Sequence, residues 1–230
     1  MPNTIAVQQR ILDTNDRLAA TVRARLGLSG TFVANLISSP GAGKTTLIER
    51  TAARLAAHPA RPRWAVIEGD IATEQDAERV RRHGVPAVQI NTHGDCHLDA
   101  RMITAALASL EAQVPVADLD LLVVENVGNL VCPVEFDLGE DAKVVVASVA
   151  EGDDKPSKYP ATFGRAAAMV VNKIDLLPYV DCDLGRLIGD ARGLNPDLTV
   201  LPVSCRTGEG LDAWVDWLLA GVAAKRSTRA

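Results

Sequence analysis

The chain has 230 residues, of which 47% are hydrophobic and 23% charged, a composition that excludes extended disorder over most of its length. Its net charge of -5 offers no general attraction for nucleic-acid phosphates, so we expect no nucleic-acid partner. No apolar run approaches the roughly 20 residues that cross a bilayer, and residues 1–10 lack the pattern of a signal peptide. We therefore expect a cytoplasmic protein without a membrane partner, in which the four cysteines are free thiols.

Strand-like and helix-like runs alternate along the chain after an amphipathic helical segment at Ile5–Leu28. The predicted strands are Phe32–Ser38, Trp64–Glu68, Val85–Ile90, Leu119–Glu125, Val144–Val149, Met169–Asn172 and Leu198–Val203. The predicted helices include Lys44–Ala57, Thr73–Arg82, Leu98–Glu111 and Leu211–Leu219. This order predicts an α/β fold with a mostly parallel sheet and helices on both faces. We divide the chain into a helical extension (1–28), a single main domain (29–224) and a solvated basic tail (225–230).

A glycine-rich motif, residues 38–46, follows the first predicted strand and opens the next helix. In such a P-loop the backbone N–H groups surround phosphate oxygens, Lys44 reaches the β- and γ-phosphates, and the Thr45 hydroxyl binds Mg²⁺. Ser38 stands where the general pattern has glycine, and a glycine-rich turn without a ligand is the alternative interpretation. The position between a strand and a helix favours phosphate binding. The predicted phosphate-contacting residues are Gly41, Ala42, Gly43, Lys44, Thr45 and Thr46.

A second motif, Asn172-Lys173-Ile174-Asp175, ends a predicted strand well downstream of the P-loop. The Asp175 carboxylate can accept hydrogen bonds from N1–H and the 2-amino group of guanine, whereas adenine lacks that amino group and its N1 is an acceptor. A helix-capping aspartate is the alternative. Further on, the loop that begins Ser204-Cys205-Arg206 resembles the G-protein loop that supports the guanine ring. We therefore predict binding of GTP and GDP.

Acidic residues at strand ends are candidates for holding Mg²⁺ during GTP hydrolysis. Glu125 takes the place of the usual D-x-x-G aspartate, and Gly128 can donate its N–H to a γ-phosphate oxygen. Asp70 is either a water-mediated Mg²⁺ ligand or a solvated turn carboxylate. No arginine finger is evident, and Lys155 is our hypothesis for a substitute charge acting across a dimer. The predicted catalytic residues are Lys44, Thr45, Asp70, Glu125 and Lys155, of which Thr45, Asp70 and Glu125 would bind Mg²⁺.

Histidine and cysteine cluster in two segments near these acidic residues: His93, Cys96 and His97 in one, and Cys132 in the other. Thiolate and imidazole suit Ni²⁺ or Zn²⁺. The alternative is that the cysteines are small packed residues and His97 caps a helix. Spacing alone does not choose between these interpretations. The other two cysteines have no neighbouring histidine and are interpreted as packed side chains: Cys182 and Cys205.

Taken together, these motifs resemble the HypB-type hydrogenase nickel-incorporation GTPases of the SIMIBI class of P-loop proteins. The similar segments are S-S-P-G-A-G-K-T-T (38–46), I-E-G-D (67–70), N-T-x-x-x-C-H-L-D-A (91–100), E-N-V-G-N-L-V-C-P (125–133), F-D-L-G-E (136–140), E-G-D-D-K-P-x-K-Y-P (151–160) and N-K-I-D (172–175). The resemblance implies a Ni²⁺ or Zn²⁺ site of Cys96, His97 and Cys132 near a GTP-dependent homodimer interface. It also implies a HypA-type metallochaperone as partner and nickel transfer to the large subunit of a nickel–iron hydrogenase.

The sequence departs from the family pattern in two places. Its N-terminal part contains neither cysteine nor histidine before His58, which argues against a nickel-storage role, and His93 replaces the usual glycine after Asn-Thr. A urease-type maturation GTPase and a non-hydrolytic nickel- or zinc-binding protein are the alternatives. The C-H-L-D-A and V-G-N-L-V-C-P segments favour the hydrogenase branch, and N-K-I-D disfavours a small-molecule kinase.

Overall fold

The protein is built around a parallel β-sheet, seen in a computed structural model that describes residues 3–70 and 75–228. Side chains are described from residue 11 onward, and residue 75 is described by its backbone alone. The strands are β1 (Phe32–Ser38), β2 (Trp64–Asp70), β3 (Ala87–Asn91), β4 (Leu121–Glu125), β5 (Ala142–Ser148), β6 (Ala168–Asn172) and β7 (Thr199–Pro202). They form a seven-stranded sheet in the order β3-β2-β4-β1-β5-β6-β7, with every pairing parallel. The predicted α/β class and all seven predicted strands are confirmed.

The α-helices of the described residues precede, connect or follow these strands. They are α1 (Asn3–Ser29), α2 (Lys44–Ala57), α3 (Gln75–Arg81), α4 (Ala100–Leu110), α5 (Lys155–Lys158), α6 (Pro160–Gly164), α7 (Leu184–Leu194) and α8 (Leu211–Ser227). The sequence patterns predicted α1, α2, α4 and α8, but α7 was not among the predicted helices. The first residues of the predicted helix Thr73–Arg82 lie outside the described residues.

Helices cover both faces of the sheet, as predicted. The alternation of side chains along a strand sends Leu36 of β1 to the face covered by α2, α3 and α8, and Ile37 to the opposite face. On that opposite face, α1 and α4 cover β2 and β4, whereas α6 and α7 cover β5 and β6. The core is mainly aliphatic, since Val, Leu, Ile and Ala fill most buried positions.

The C-terminal helix includes the start of the predicted basic tail. Helix α8 continues through Lys225 and Arg226 to Ser227. The Lys225 ammonium pairs with Asp141, and the Arg226 guanidinium pairs with Asp120. These two basic side chains are therefore held against the loops that precede β5 and β4. No helix among residues 3–70 and 75–228 is long and apolar enough to cross a membrane.

Candidate functional site

The P-loop connects β1 to α2 at the centre of the sheet's carboxyl edge, where ligands of open α/β folds bind. Gly41 and Gly43 have φ values of 78° and 100°, a left-handed backbone that favours glycine. A Cβ on Gly43 would lie 2.5 Å from Nδ2 of Asn172, so this glycine also permits contact with the second motif. The sequence therefore forms the tight left-handed turn that a P-loop requires.

Lys44 and Thr45 are buried beside Glu125 at the start of α2. Thr45 Oγ1 donates to Glu125 Oε1 at 3.0 Å, and Lys44 Nζ lies 3.7 Å from the same oxygen. Lys44 Nζ also donates to Ser38 Oγ at 2.9 Å. The serine at the usual glycine position thus supplies a hydrogen-bond acceptor for the P-loop lysine.

Glu68 is a site residue that sequence reasoning did not single out. It is the register partner of Glu125 on the adjacent strand, and the two side chains are only 1% and 6% exposed. Burial, and then the neighbouring carboxyl of Glu125, raises the pKa of Glu68 well above its ordinary value. Burial likewise raises the pKa of Glu125, although the Lys44 ammonium opposes this effect.

The paired carboxyls fit a bound cation. Glu68 Oε1 and Glu125 Oε2 are buried and have no hydrogen-bond partner among the described residues. Thr45 Oγ1 and Glu125 Oε1, already 3.0 Å apart, are oxygen ligands of the kind that Mg²⁺ prefers. The sequence signal that could have identified Glu68 is an acidic residue at the carboxyl end of the predicted strand Trp64–Glu68.

A cavity of about 440 Å³ opens at Glu125. P-loop residues line it together with Gly69, Asp70, Glu125, Asn126, Gly128 and Lys173, and also Asp76 and Arg79 of α3, which sequence reasoning missed. The Arg79 guanidinium is bonded to Glu49 at 2.7 Å and to Asp76 at 3.1 Å. Asp70 and Glu125 both line this cavity, and their role as Mg²⁺ ligands stays a prediction.

Gly128 approaches the P-loop closely, because a Cβ at this position would lie 3.1 Å from Cα of Pro40. Lys155 is not among the cavity-lining residues. Its ammonium lies 3.4 Å from the Glu151 carboxylate and 5.8 Å from the centre of the Tyr159 ring. The hypothesis that Lys155 acts across a dimer concerns a second protomer and stays a prediction.

The Asn172–Asp175 motif is bonded directly to the P-loop. Asn172 Nδ2 donates to Ala42 O at 2.9 Å, and Lys173 Nζ donates to Gly41 O at 2.8 Å. Lys173 has a left-handed backbone, with φ at 63°, which turns the chain away from β6. The two motifs therefore form one continuous surface at the carboxyl edge of the sheet.

The loop after β7 completes the predicted guanine pocket. Ser204 Oγ donates to Asp175 Oδ1 at 2.6 Å, and Cys205 N donates to Asn172 Oδ1 at 3.2 Å. Arg206 is exposed at the same loop. Burial raises the pKa of the Cys205 thiol to about 11, which agrees with its interpretation as a packed side chain that takes part through its backbone.

Cys96, His97 and Cys132 form a cluster whose ligand atoms all lie within 4.8 Å of one another. Cys96 Sγ and Cys132 Sγ share a hydrogen bond at 2.8 Å, and this hydrogen bond, followed by burial, raises the pKa of Cys132. Burial lowers the pKa of His97, which favours the neutral imidazole that metals bind. His93 is exposed and does not join the cluster.

Neighbouring side chains fix the geometry of the cluster. The His97 ring stacks on Phe136, with 3.8 Å between the ring centres. Asn129 Nδ2 donates to Cys96 O at 3.3 Å. Asp99, rather than His97, caps helix α4, because its Oδ1 accepts from Met102 N at 2.7 Å. The capping role considered for His97 is therefore wrong.

This fold and this phosphate-binding loop define a P-loop nucleotide-binding protein. Residues 32–202 match the family model described as CobW/HypB/UreG, nucleotide-binding domain. The hydrogenase maturation factor HypB of Azotobacter chroococcum mcd 1 is 52% identical over 214 residues, which cover 93% of this chain and 68% of that protein. The chain therefore belongs to the HypB hydrogenase maturation factors.

Two solved structures have the same fold. The crystal structure of HypB from Helicobacter pylori in complex with nickel is 36% identical, with a TM-score of 0.85 over 94% of this chain and 97% of that one. HypB from Archaeoglobus fulgidus is 41% identical, with a TM-score of 0.83 over 91% of this chain and 99% of that one. The resemblance seen in the sequence motifs is confirmed.

Proposed function

We propose that this protein is a cytoplasmic GTP-hydrolysing metallochaperone that delivers nickel during maturation of a nickel–iron hydrogenase. One observation carries the proposal: residues 125–132 contribute to both candidate sites. Glu125 accepts the Thr45 hydrogen bond at 3.0 Å at one end of this segment, and Cys132 Sγ lies 2.8 Å from Cys96 Sγ at the other. A nucleotide-dependent change in this short segment would therefore reach the metal cluster directly.

In the proposed reaction, the chain positions GTP and stabilises its developing charge. Thr45 and Glu125 would hold Mg²⁺, with Asp70 acting through water, and the ion supplies charge neutralisation at the phosphates. Lys44 would contact the β- and γ-phosphates, and Gly128 N–H would contact a γ-phosphate oxygen. Turnover should be slow, since the arginine of α3 that lines the cavity is bonded to two carboxylates.

Asp175 would select guanine, because its second carboxylate oxygen is available beside the Ser204 hydrogen bond. A carboxylate accepts from N1–H and the 2-amino group of guanine, and adenine does not offer this pair of donors. The hydrogen bonds from Asn172 and Lys173 to the P-loop support this assignment, since they join the segment that carries Asp175 to the P-loop.

Nickel is the proposed cargo of the Cys96, His97 and Cys132 cluster, and zinc is a competing occupant with similar ligand preferences. One protomer offers three ligands within 4.8 Å of one another. A two-fold homodimer formed with GTP would bring a second set and complete the coordination. By family resemblance, a HypA-type metallochaperone would be a partner, and the hydrogenase large subunit would receive the metal.

The first test is phosphate release from GTP and from ATP, measured with malachite green in the presence of Mg²⁺. We expect slow phosphate release from GTP and none from ATP. We expect Lys44→Ala to reduce phosphate release from GTP to background. Lys158→Ala is the matched control, because Lys158 is an exposed lysine away from the cavity. Nickel binding without phosphate release from GTP would indicate the non-hydrolytic metal-binding alternative.

A further inference from the structure

Asn126 lies at the junction of the nucleotide cavity and the metal cluster. It directly follows Glu125, lines the cavity, and is 1% exposed. Its backbone N–H donates to Leu36 O of β1 at 3.0 Å, close to the start of the P-loop. The backbone of Asn126 therefore belongs to the nucleotide site.

The side chain of Asn126 reaches the other site. Its Oδ1 accepts from Leu98 N at 3.1 Å, and Leu98 directly follows the cluster residue His97. The buried side chain of Leu98 packs against Gly69, where a Cβ would lie 2.8 Å from Leu98 Cδ1, and Gly69 also lines the nucleotide cavity. Leu98 thus joins the loop that carries Cys96 and His97 to two residues of the nucleotide cavity, Asn126 and Gly69.

Buried polar partners fix the orientation of the Asn126 amide. Its Nδ2 donates to Asn35 Oδ1 at 3.3 Å, and Asn35 Nδ2 donates to Glu140 Oε1 at 3.4 Å. Both partners are buried. With Nδ2 committed to Asn35, Oδ1 accepts from both Leu98 N at 3.1 Å and Val127 N at 3.0 Å. Each hydrogen bond that a buried amide loses costs free energy, so the Asn126 amide has a single favoured orientation.

From this geometry we infer that Asn126 is a positioning residue that couples nucleotide state to metal binding, by holding the Cys96 and His97 loop to the segment that contacts the γ-phosphate. The inference rests on the proposed function. Cys132 lies a few residues further along the same segment of the chain. Asn129, within this segment, donates from Nδ2 to Cys96 O at 3.3 Å. Movement of residues 125–128 on GTP binding would therefore act on both halves of the metal cluster.

Helix α1 provides a matched control residue. Asn15 Oδ1 accepts from Ala100 N at 2.9 Å, and its Nδ2 donates to Asp137 O at 2.8 Å. It therefore bonds to the chain just after the metal loop and to the residue after Phe136, and it is not among the residues that line the nucleotide cavity. Loss of this support should weaken metal binding equally in both nucleotide states.

The experiment is a Ni²⁺ titration of the full chain at saturating Mg²⁺ with GDP and with a non-hydrolysable GTP analogue. Its readout is the ratio of the two nickel affinities, which for ordinary coupling differ by roughly 5–150-fold. We expect Asn126→Ala to make the affinities equal and Asn15→Ala to lower both while keeping their ratio.

A wild-type ratio that persists in Asn126→Ala would overturn the inference and leave the proposed function standing. An equal loss of the ratio in Asn15→Ala would also overturn it, since any damage to the loop would then suffice. If Asn126→Ala does not fold, Asn126→Ser removes the same contact because its hydroxyl is too short to reach Leu98 N, and the same criterion applies. Absence of nickel binding and of GTP hydrolysis in the wild type would instead refute the proposed function.

Discussion

The proposed preference of Asp175 for guanine can be tested by changing a single side-chain group. Asp175→Asn replaces one carboxylate oxygen by an NH₂ group, which can donate to the 2-oxo group of xanthine but opposes the donors of guanine. The remaining oxygen can still accept from Ser204 Oγ, so the loop should keep its structure. We expect preference to change from GTP to XTP, measured as the ratio of the two affinities, in a type of site that discriminates by roughly 10⁴–10⁵.

Asp181→Asn is the control for that substitution, because Asp181 is an exposed carboxylate a few residues further along the chain. It removes the same charge and should leave the preference for GTP intact. Retained GTP affinity in Asp175→Asn with no gain for XTP would show that this motif does not read the base.

The raised pKa of the Cys132 thiol predicts how nickel binding depends on pH. The Cys96 hydrogen bond and burial favour the protonated Cys132 thiol, and a metal must displace that proton. Nickel affinity should therefore rise with pH above neutrality. Calorimetric titration in buffers of different ionisation enthalpy measures the released protons, and a pH-independent affinity without proton release would contradict thiolate ligation by Cys132.

At the scale of elements, helix α1 is held against the loop before β5 by close packing at Gly139. This glycine has a φ of 83°, and a Cβ on it would lie 2.8 Å from Ala19 O of α1. We expect Gly139→Ala to lower the free energy of unfolding in urea by about 1–3 kcal/mol for its backbone conformation, with a further loss from the clash.

Gly84→Ala separates these two effects. Gly84 has a similar φ of 75°, but nothing lies within 4 Å of the position of its Cβ. It should therefore lose only the backbone contribution. If the two variants were equally stable, close packing of α1 at Gly139 would contribute nothing measurable.

The strands along the chain and the motifs at their ends were predictable, because each motif follows a buried run whose composition indicates a strand. Glu68 and Asn126 were harder, although both lie within recognised segments. Their roles depend on the register between β2 and β4 and on a hydrogen bond to Leu98 N, which arise only when distant segments meet. Helix α7 was missed as well; it has a clear N-cap at Asp183, but glycines at positions 185, 189 and 193 weaken its helical propensity.

At the scale of the whole molecule, Lys155 tests the hypothesis that a second protomer assists hydrolysis. In the single chain its ammonium is 3.4 Å from Glu151, so a role in catalysis requires a different partner. We expect Lys155→Ala to slow GTP hydrolysis and weaken the GTP-dependent dimer. Phosphate release and light scattering measure the two effects, with Lys158→Ala as the control from the same short helix.

Unchanged GTP hydrolysis and unchanged dimer mass in Lys155→Ala would show that Lys155 is not a catalytic residue. The remaining account would then depend on Lys44 and Mg²⁺ alone for charge stabilisation. Turnover that is slow in the monomer and faster at high protein concentration would support assistance from the second protomer.

If the metal cluster is completed at a dimer interface, nickel binding must strengthen dimerisation by the same free energy by which dimerisation strengthens nickel binding. The most direct test of the account is the nickel affinity of the wild-type protein, measured with its mass in solution, in GDP and in a non-hydrolysable GTP analogue. We predict different affinities in the two states, a larger mass with the analogue, and loss of the affinity difference in Cys132→Ala. Equal nickel affinity and equal mass in both nucleotide states would contradict the account.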